Sequence, residues 1–217
     1  LRESIFELRF QPVHNLQTGK IIASESIIYW NDEDYGEMNP DEFMPFAGQC
    51  GLMTEIDQYV LKNTINHMVQ LKPHVDEDFK ISVNLSTDYL RDTNFIVDLT
   101  QFLEEAQLEA KFIEIEISEL GLLDTDLKLY DKINQIHEMG VSIAIGDFGM
   151  GYSSLSYLRE VPISSLKIDY SFTHELSLAP ANAKMVAAII SLANALNLQV
   201  VAEKVGNGED LAILKRL

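Results

Sequence analysis

The sequence predicts an α/β fold in which a parallel sheet curls into a (β/α)8 barrel. Three observations lead there. From Phe79 onward, short β-branched runs alternate with helix-length amphipathic segments, the pattern of right-handed crossovers between parallel strands. Polar residues stand at the C-terminal ends of successive strands, where a barrel gathers its mouth. No Gly-rich phosphate loop follows the first strand, as an open doubly wound sheet would require. Seven strands are counted. Barrels of eight strand–helix units take about 250 residues, so 217 residues leave the chain one strand short at its C-terminus. That length and ending predict one domain over 1–217, a fragment of a longer protein.

Taken in order, Leu8 to Val13 and Ile21 to Tyr29 read as strands around the turn signal Gln17-Thr18-Gly19, a hairpin. Pro40-Asp41-Glu42 opens a helix running to about Gly48, with Pro in the first turn and acids at the positive dipole end. A second helix follows from Glu55 to Leu71, its apolar residues Ile56, Tyr59, Val60, Ile65 and Val69 near helical spacing and Pro73 ending it. Then come strand Phe79 to Leu85, helix Phe95 to Ala106, strand Phe112 to Ser118, helix Leu127 to Met139 and strand Val141 to Gly146. The series closes with helix Ser153 to Arg159, strand Ser165 to Ile168, helix Ala183 to Leu196 and strand Gln199 to Ala202.

Composition narrows the function. Sixteen Lys and Arg against 34 Asp and Glu give a net charge of −18, and no basic cluster interrupts the acidity. Nucleic acid as a partner is excluded, since that contact needs a basic face to displace counterions, and an anionic membrane surface is disfavoured alike. The longest apolar stretch, near Val186 to Leu196, is broken by Ser191 and Asn194 and is too short to span a bilayer. Cys50 is the sole cysteine and cannot form an internal disulfide, which fits a reducing, cytoplasmic compartment; the full-length protein could still be anchored to a membrane elsewhere. His14, His67, His74, His137 and His174 show no zinc-ligand spacing. Asp32-Glu33-Asp34 reads as a solvated loop.

The residues that carry chemistry are Asn84, Glu116, Asp147, Lys167 and Glu203, one near the C-terminal end of each of five successive strands, with Glu25 inside the second. Several carboxylates with an amide oxygen form a hard-oxygen set suited to Mg²⁺ or Mn²⁺, and a nearby lysine can orient water or neutralise a developing anion. A metal-assisted phosphoryl hydrolase is one reading. Solvated strand ends in an acidic chain are the other, and spacing leaves both open. Asp147-Phe148-Gly149 matches a kinase metal-binding triplet, but no kinase catalytic-loop pattern accompanies it.

Phe10-Gln11-Pro12-Val13, Glu25-Ser26-Ile27-Ile28-Tyr29-Trp30, Ser82-Val83-Asn84-Leu85-Ser86, Glu116-Ile117-Ser118-Glu119, Gly146-Asp147-Phe148-Gly149-Met150-Gly151-Tyr152-Ser153-Ser154-Leu155, Leu166-Lys167-Ile168-Asp169 and Ala202-Glu203-Lys204-Val205 resemble, in order, the motifs of the bacterial EAL domain. The resemblance spans nearly the whole chain. It implies a modified TIM-like barrel with an irregular N-terminal strand, truncated here near its C-terminus. Active members hydrolyse cyclic di-GMP to linear pGpG with two Mg²⁺ or Mn²⁺ ions. By position it assigns Glu25, Asn84, Glu116 and Asp147 to the metals, Glu203 to a further acidic place, and Lys167 to the attacking water. Gln11 would contact nucleotide, and Glu119 would brace the loop after Gly146.

The departures from that pattern fall on the same groups. Glu25-Ser26-Ile27 replaces Glu-Ala-Leu, and Tyr29 stands where a phosphate-contacting Arg belongs. A lost charge-assisted hydrogen bond removes roughly 1.5–3 kcal/mol, one to two decades of affinity. Gly146 replaces an expected Asp, so the two-metal clamp lacks a carboxylate. Met150 replaces a usual Thr, and Lys204 and Gly206 replace the Gly and Glu of Ala-Glu-Gly-Val-Glu. Groups acting as a unit lose their effect together, so the departures predict a degenerate domain without catalysis, serving as a regulatory or protein-interaction module. A non-hydrolysing cyclic di-GMP receptor and an enzyme of reduced activity are the alternatives. A protein partner or homodimer is expected, its face built on Ser153 to Arg159 as the resemblance implies.

Overall fold

The computed structural model describes residues 5–32, 34–123, 127–150 and 157–217. It opens with β1 (Phe6–His14) and β2 (Ile21–Asp32), an antiparallel hairpin pairing Gln11 with Glu25 and Glu7 with Tyr29. The turn between them is held by Asn15, whose Oδ1 accepts from the backbone N–H of Gln17 and Thr18. A three-residue strand β3 (Gly36–Met38), too short to show a pattern in sequence, adds antiparallel to the end of β2 and corrects the count of seven strands to eight among the described residues. Asp32, expected in a loop, ends β2, and its carboxylate accepts from Asp34 and Tyr35 to set the turn into β3.

Helix α1 (Pro40–Gln49) starts from a capping box in which Asn39 and Glu42 each accept the other's backbone N–H. Helix α2 (Met53–Leu71) begins two residues earlier than its apolar rhythm shows and buries Ile56, Val60, Leu61, Ile65 and Met68. Then strands and helices alternate: β4 (Lys80–Asn84), α3 (Thr87–Arg91), α4 (Phe95–Ala106), β5 (Ile113–Ser118), α5 (Glu119–Leu123), α6 (Leu127–Glu138), β6 (Ser142–Phe148), α7 (Tyr157–Glu160), β7 (Ser165–Ile168), α8 (Tyr170–Thr173), α9 (Pro180–Ala195), β8 (Gln199–Ala202) and α10 (Gly208–Leu214). Of the expected helix Ser153 to Arg159, residues 153–156 lie outside the described residues, and α7 begins at Tyr157.

The sheet order is β1-β2-β4-β5-β6-β7-β8, parallel from β2 onward. It is strongly curled. Four strand steps separate β2 from β7, about 19 Å across a flat sheet at ~4.8 Å each, yet Lys167 Nζ on β7 lies 3.2 Å from Glu25 Oε2 on β2. Among the described residues no ladder joins β8 to β1, so the barrel is open on that side. Alternation along β5 sorts its two faces. Ile113, Ile115 and Ile117 are fully buried in the apolar core with the helices, while Glu114, Glu116 and Ser118 occupy the alternate face, the one that carries the site. No described helix is long and apolar enough to cross a membrane.

Candidate functional site

The strand registers place Glu25 beside Ser82 and Asn84 beside Glu116 in neighbouring strands, so these side chains share one face. Lys167 closes the group. Its Nζ donates to Ser82 Oγ at 2.8 Å, to Glu25 Oε2 at 3.2 Å and, in a short contact, to Glu116 Oε2. Those three bonds use all three N–H groups of an ammonium. Asn84 Nδ2 donates to Glu25 Oε1 at 2.8 Å, which fixes the other end of that carboxylate. Glu25, Glu116 and Glu203 each place a carboxylate oxygen within 4.8 Å of the others.

Burial sets the electrostatics. Glu116 is raised well above the ordinary carboxylate range by loss of solvent, against the pull of Lys167 and with further repulsion from Glu25 and Glu203. Burial alone would lower the Lys167 ammonium, but Glu116 and Glu25 overcome it and hold the group protonated. Glu203 is pushed up to about 7, by burial first and then by Glu25. Asp147, also raised by burial and by Asp169, stands outside the three-carboxylate set and sits in the left-handed region at φ +52°.

Gly146 has a physical counterpart across the sheet. A Cβ built there would overlap Glu116 Oε1 and lie 3.0 Å from Cγ and Cδ of the same residue. The Glu116 carboxylate therefore fills the room that a side chain at 146 would need, and Lys167 holds it there. At Gly149, φ is +106° and a Cβ would come 2.7 Å from the Phe172 ring, so only glycine suits the turn. The Gly149 N–H donates to Glu119 Oε2 at 2.9 Å, tying α5 to the end of β6.

At the hairpin edge, Gln11 faces the same side as Glu25 by register. Tyr29 lies on that face too. Over its ring, 4.3 Å from the centroid, sits the guanidinium of Arg9 on β1. Arg9 in turn binds Glu7 and Glu37, with Nη1 at 3.0 Å from Glu37 Oε1 and Nε at 3.2 Å from Glu7 Oε1. Sequence reasoning passed over Arg9, Ser82 and Asp57. Ser82 was marked by alternation with Ile81 and Val83, and Asp57 by being a carboxylate on the apolar face of α2. Asp57 accepts from the backbone N–H and hydroxyl of Ser86, the N-cap of α3, and so steadies the chain just beyond Asn84.

The donor set suits a hard divalent ion. One carboxylate oxygen from each of Glu25, Glu116 and Glu203 lies within 4.8 Å of the others, a spacing at which the three could hold one divalent ion, with Lys167 as the cation already bound to two of them.

A family model for the EAL domain matches residues 1–217. Cyclic di-GMP phosphodiesterase NbdA of Pseudomonas aeruginosa is 33% identical over 215 residues, 99% of this chain and 28% of that protein. The bifunctional diguanylate cyclase/cyclic di-GMP phosphodiesterase MucR of the same organism is 34% identical over 211 residues, 97% of this chain and 31% of that protein. A solved PaMucR phosphodiesterase in complex with c-di-GMP superposes with a TM-score of 0.93 at 32% identity, covering 98% of this chain and 86% of that one. The chain thus spans about 30% of the length of these curated relatives.

Proposed function

Because this chain belongs to the EAL domain family, we propose that it serves cyclic di-GMP signalling as a degenerate, non-catalytic regulatory or interaction domain within a longer protein. One observation carries the reading: the Glu116 carboxylate occupies the space of a side chain at 146 and is locked there by Lys167. A carboxylate that a two-ion clamp would use is absent, and the Glu116 carboxylate occupies the space beside Gly146. Lys167, with every N–H committed to the protein, has none left to hold a water. A bound Mg²⁺ or Mn²⁺ would polarise a phosphodiester and acidify a water. In this chain Glu25, Glu116 and Glu203 would hold it, Asn84 would orient Glu25, and Glu119 would keep the loop after β6 in place.

The test is incubation of cyclic di-GMP with the domain in its full-length protein and Mg²⁺ or Mn²⁺, followed by chromatography. We expect no pGpG. Turnover that disappears in Glu25→Ala overturns the reading and makes the protein a phosphodiesterase. A second reading, binding without hydrolysis, is favoured by Arg9 stacked on Tyr29 beside Gln11. Against it, the Arg9 charge is already shared by two carboxylates. Calorimetric titration with cyclic di-GMP separates the two. Heat fitting a micromolar dissociation constant, about −8 kcal/mol, assigns a receptor; no heat leaves a protein partner.

A further inference from the structure

Lys167 gathers around its ammonium the kind of oxygen shell that an ion would gather. Its Nζ reaches three oxygens from three adjacent strands: Glu25 Oε2 on β2 at 3.2 Å, Ser82 Oγ on β4 at 2.8 Å and Glu116 Oε2 on β5 in a short contact. The lysine itself comes from β7, two strands beyond β5, and its side chain is 2% exposed. The residues that the resemblance gives to metal are engaged accordingly. Both Glu25 oxygens are taken, Oε2 by Lys167 and Oε1 by the Asn84 amide at 2.8 Å, so that Asn84 turns its N–H and not its oxygen toward that carboxylate. Glu116 gives Oε2 to Lys167 and lays Oε1 in the space beside Gly146. Asp147 stands outside the three-carboxylate set. A divalent ion entering among Glu25, Glu116 and Glu203 meets a positive charge already bonded to two of its three ligands. It must displace that ammonium, and an interior charge driven from its partners is costly.

We propose that Lys167 is the resident cation of the mouth: it occupies the place of a divalent ion, and the three-carboxylate set takes up Mg²⁺ or Mn²⁺ only when that ammonium is removed. This rests on the reading of the mouth as a reduced metal site and adds to it the group that fills the site. Gly146 permits the arrangement, since a side chain there would deny Glu116 the position from which it holds Lys167.

Mn²⁺ titrated into the chelator-stripped full chain tests it, with free Mn²⁺ read by electron paramagnetic resonance. The parent should bind Mn²⁺ at this site with a dissociation constant above about 1 mM. Surface binding by so acidic a chain is recognised by its indifference to Glu25→Gln. Lys167→Met should bind one ion at least about a hundredfold more tightly, because no ammonium opposes it. Glu25→Gln added to Lys167→Met should abolish that gain, which places the ion among these carboxylates. Lys167→Gln removes the charge and keeps a hydrogen-bond donor for Glu116, so it should gain the site as Met does and carries the test if Lys167→Met does not fold. Melting curves by circular dichroism should agree, with Mn²⁺ raising the unfolding midpoint of the lysine variants and leaving the parent's in place. Micromolar binding by the parent that Glu25→Gln abolishes overturns the proposal, and so does a folded lysine variant that binds no better than the parent. No nucleotide is present in these titrations, so the two readings fail separately. Mn²⁺ held by the parent without formation of pGpG sinks this one alone, and pGpG from a parent that binds no Mn²⁺ sinks the functional reading alone.

Discussion

Two groups on the site face of the barrel share one design, a cation between two carboxylates, and differ in where they stand. Glu25–Lys167–Glu116 is interior, with side chains 20%, 2% and 5% exposed. Glu7–Arg9–Glu37, at the β1–β3 edge, has 49%, 42% and 44% exposed. In water the edge trio exchanges protein contacts for hydration at little net change. Inside, no water waits for a released partner, so each bond that is lost leaves a charge uncompensated. The same pairing is a structural lock in one place and a negotiable contact in the other.

Lys167→Met probes the lock most directly. Removing the ammonium strands Glu25 and Glu116 together, and breaking a buried pair in this way costs about 3–5 kcal/mol. Urea denaturation should show a loss of that size. Adding Glu116→Gln should recover part of it, because the orphaned charge is then gone. A Lys167→Met loss no larger than that of Arg9→Met would erase the distinction between the two groups.

Gly146→Ala sharpens the comparison from the opposite strand. The new methyl overlaps a carboxylate that Lys167 will not release, so overpacking of about 1–3 kcal/mol follows. In a Glu116→Ala background the obstacle is absent, and the same substitution should cost less than about 1 kcal/mol. Additive costs in that double-mutant cycle would mean that Glu116 and position 146 do not compete for space. The overlap also bears on repair of the site. Gly146→Asp with Tyr29→Arg returns the missing groups in name, but the new carboxylate must first evict Glu116, and we expect no pGpG from that pair of changes alone.

How much of this was legible beforehand depends on how local the signal is. The ends of α4, β7 and β8 matched the residue pattern, because β-branched runs and a 3.6-residue rhythm are written within each segment. The short elements β3, α3, α5, α8 and α10 escaped, having three to seven residues and no room for a period. The convergence of Glu25, Asn84, Glu116 and Lys167 followed from strand order in a barrel. Which bonds they make did not: Lys167 reaches Glu25 across 142 positions, and Arg9 reaches Glu37 across 28. The role of Gly146 was read as a missing oxygen, whereas its backbone also makes room for Glu116, a fact that only the packing reveals.

Acidity provides a third, smaller test. Burial pushes Glu203 up to about 7 and Asp57 up to about 6 in the folded protein, against ordinary values of 4.5 and 3.8. The native state then holds more protons than the unfolded chain between these limits. The stabilisation is complete below the ordinary values and is lost as pH rises through 6 and 7. In metal-free buffer, unfolding free energy should fall between pH 5.5 and 8, by on the order of 1–2 kcal/mol. Glu203→Gln should flatten that slope. Stability that climbs over this interval would show that the interior acids are ionised and compensated already.

Arg9→Met should do least, and salt shows why. Its partners are solvated carboxylates, so each bond that is lost is replaced by water, and Met can keep contact with the Tyr29 ring that the guanidinium covers. What disappears is a Coulombic attraction in high dielectric, screened over about 8 Å at physiological ionic strength and about 3 Å in molar salt. The urea midpoint of Arg9→Met should therefore fall visibly below the parent's only at low ionic strength and merge with it in molar salt. Lys167→Met should show the same loss at both, because mobile ions do not enter the interior that its partners occupy. An Arg9→Met loss that persisted in molar salt would make the edge trio a second lock, holding β1, β2 and β3 together by geometry and not by charge.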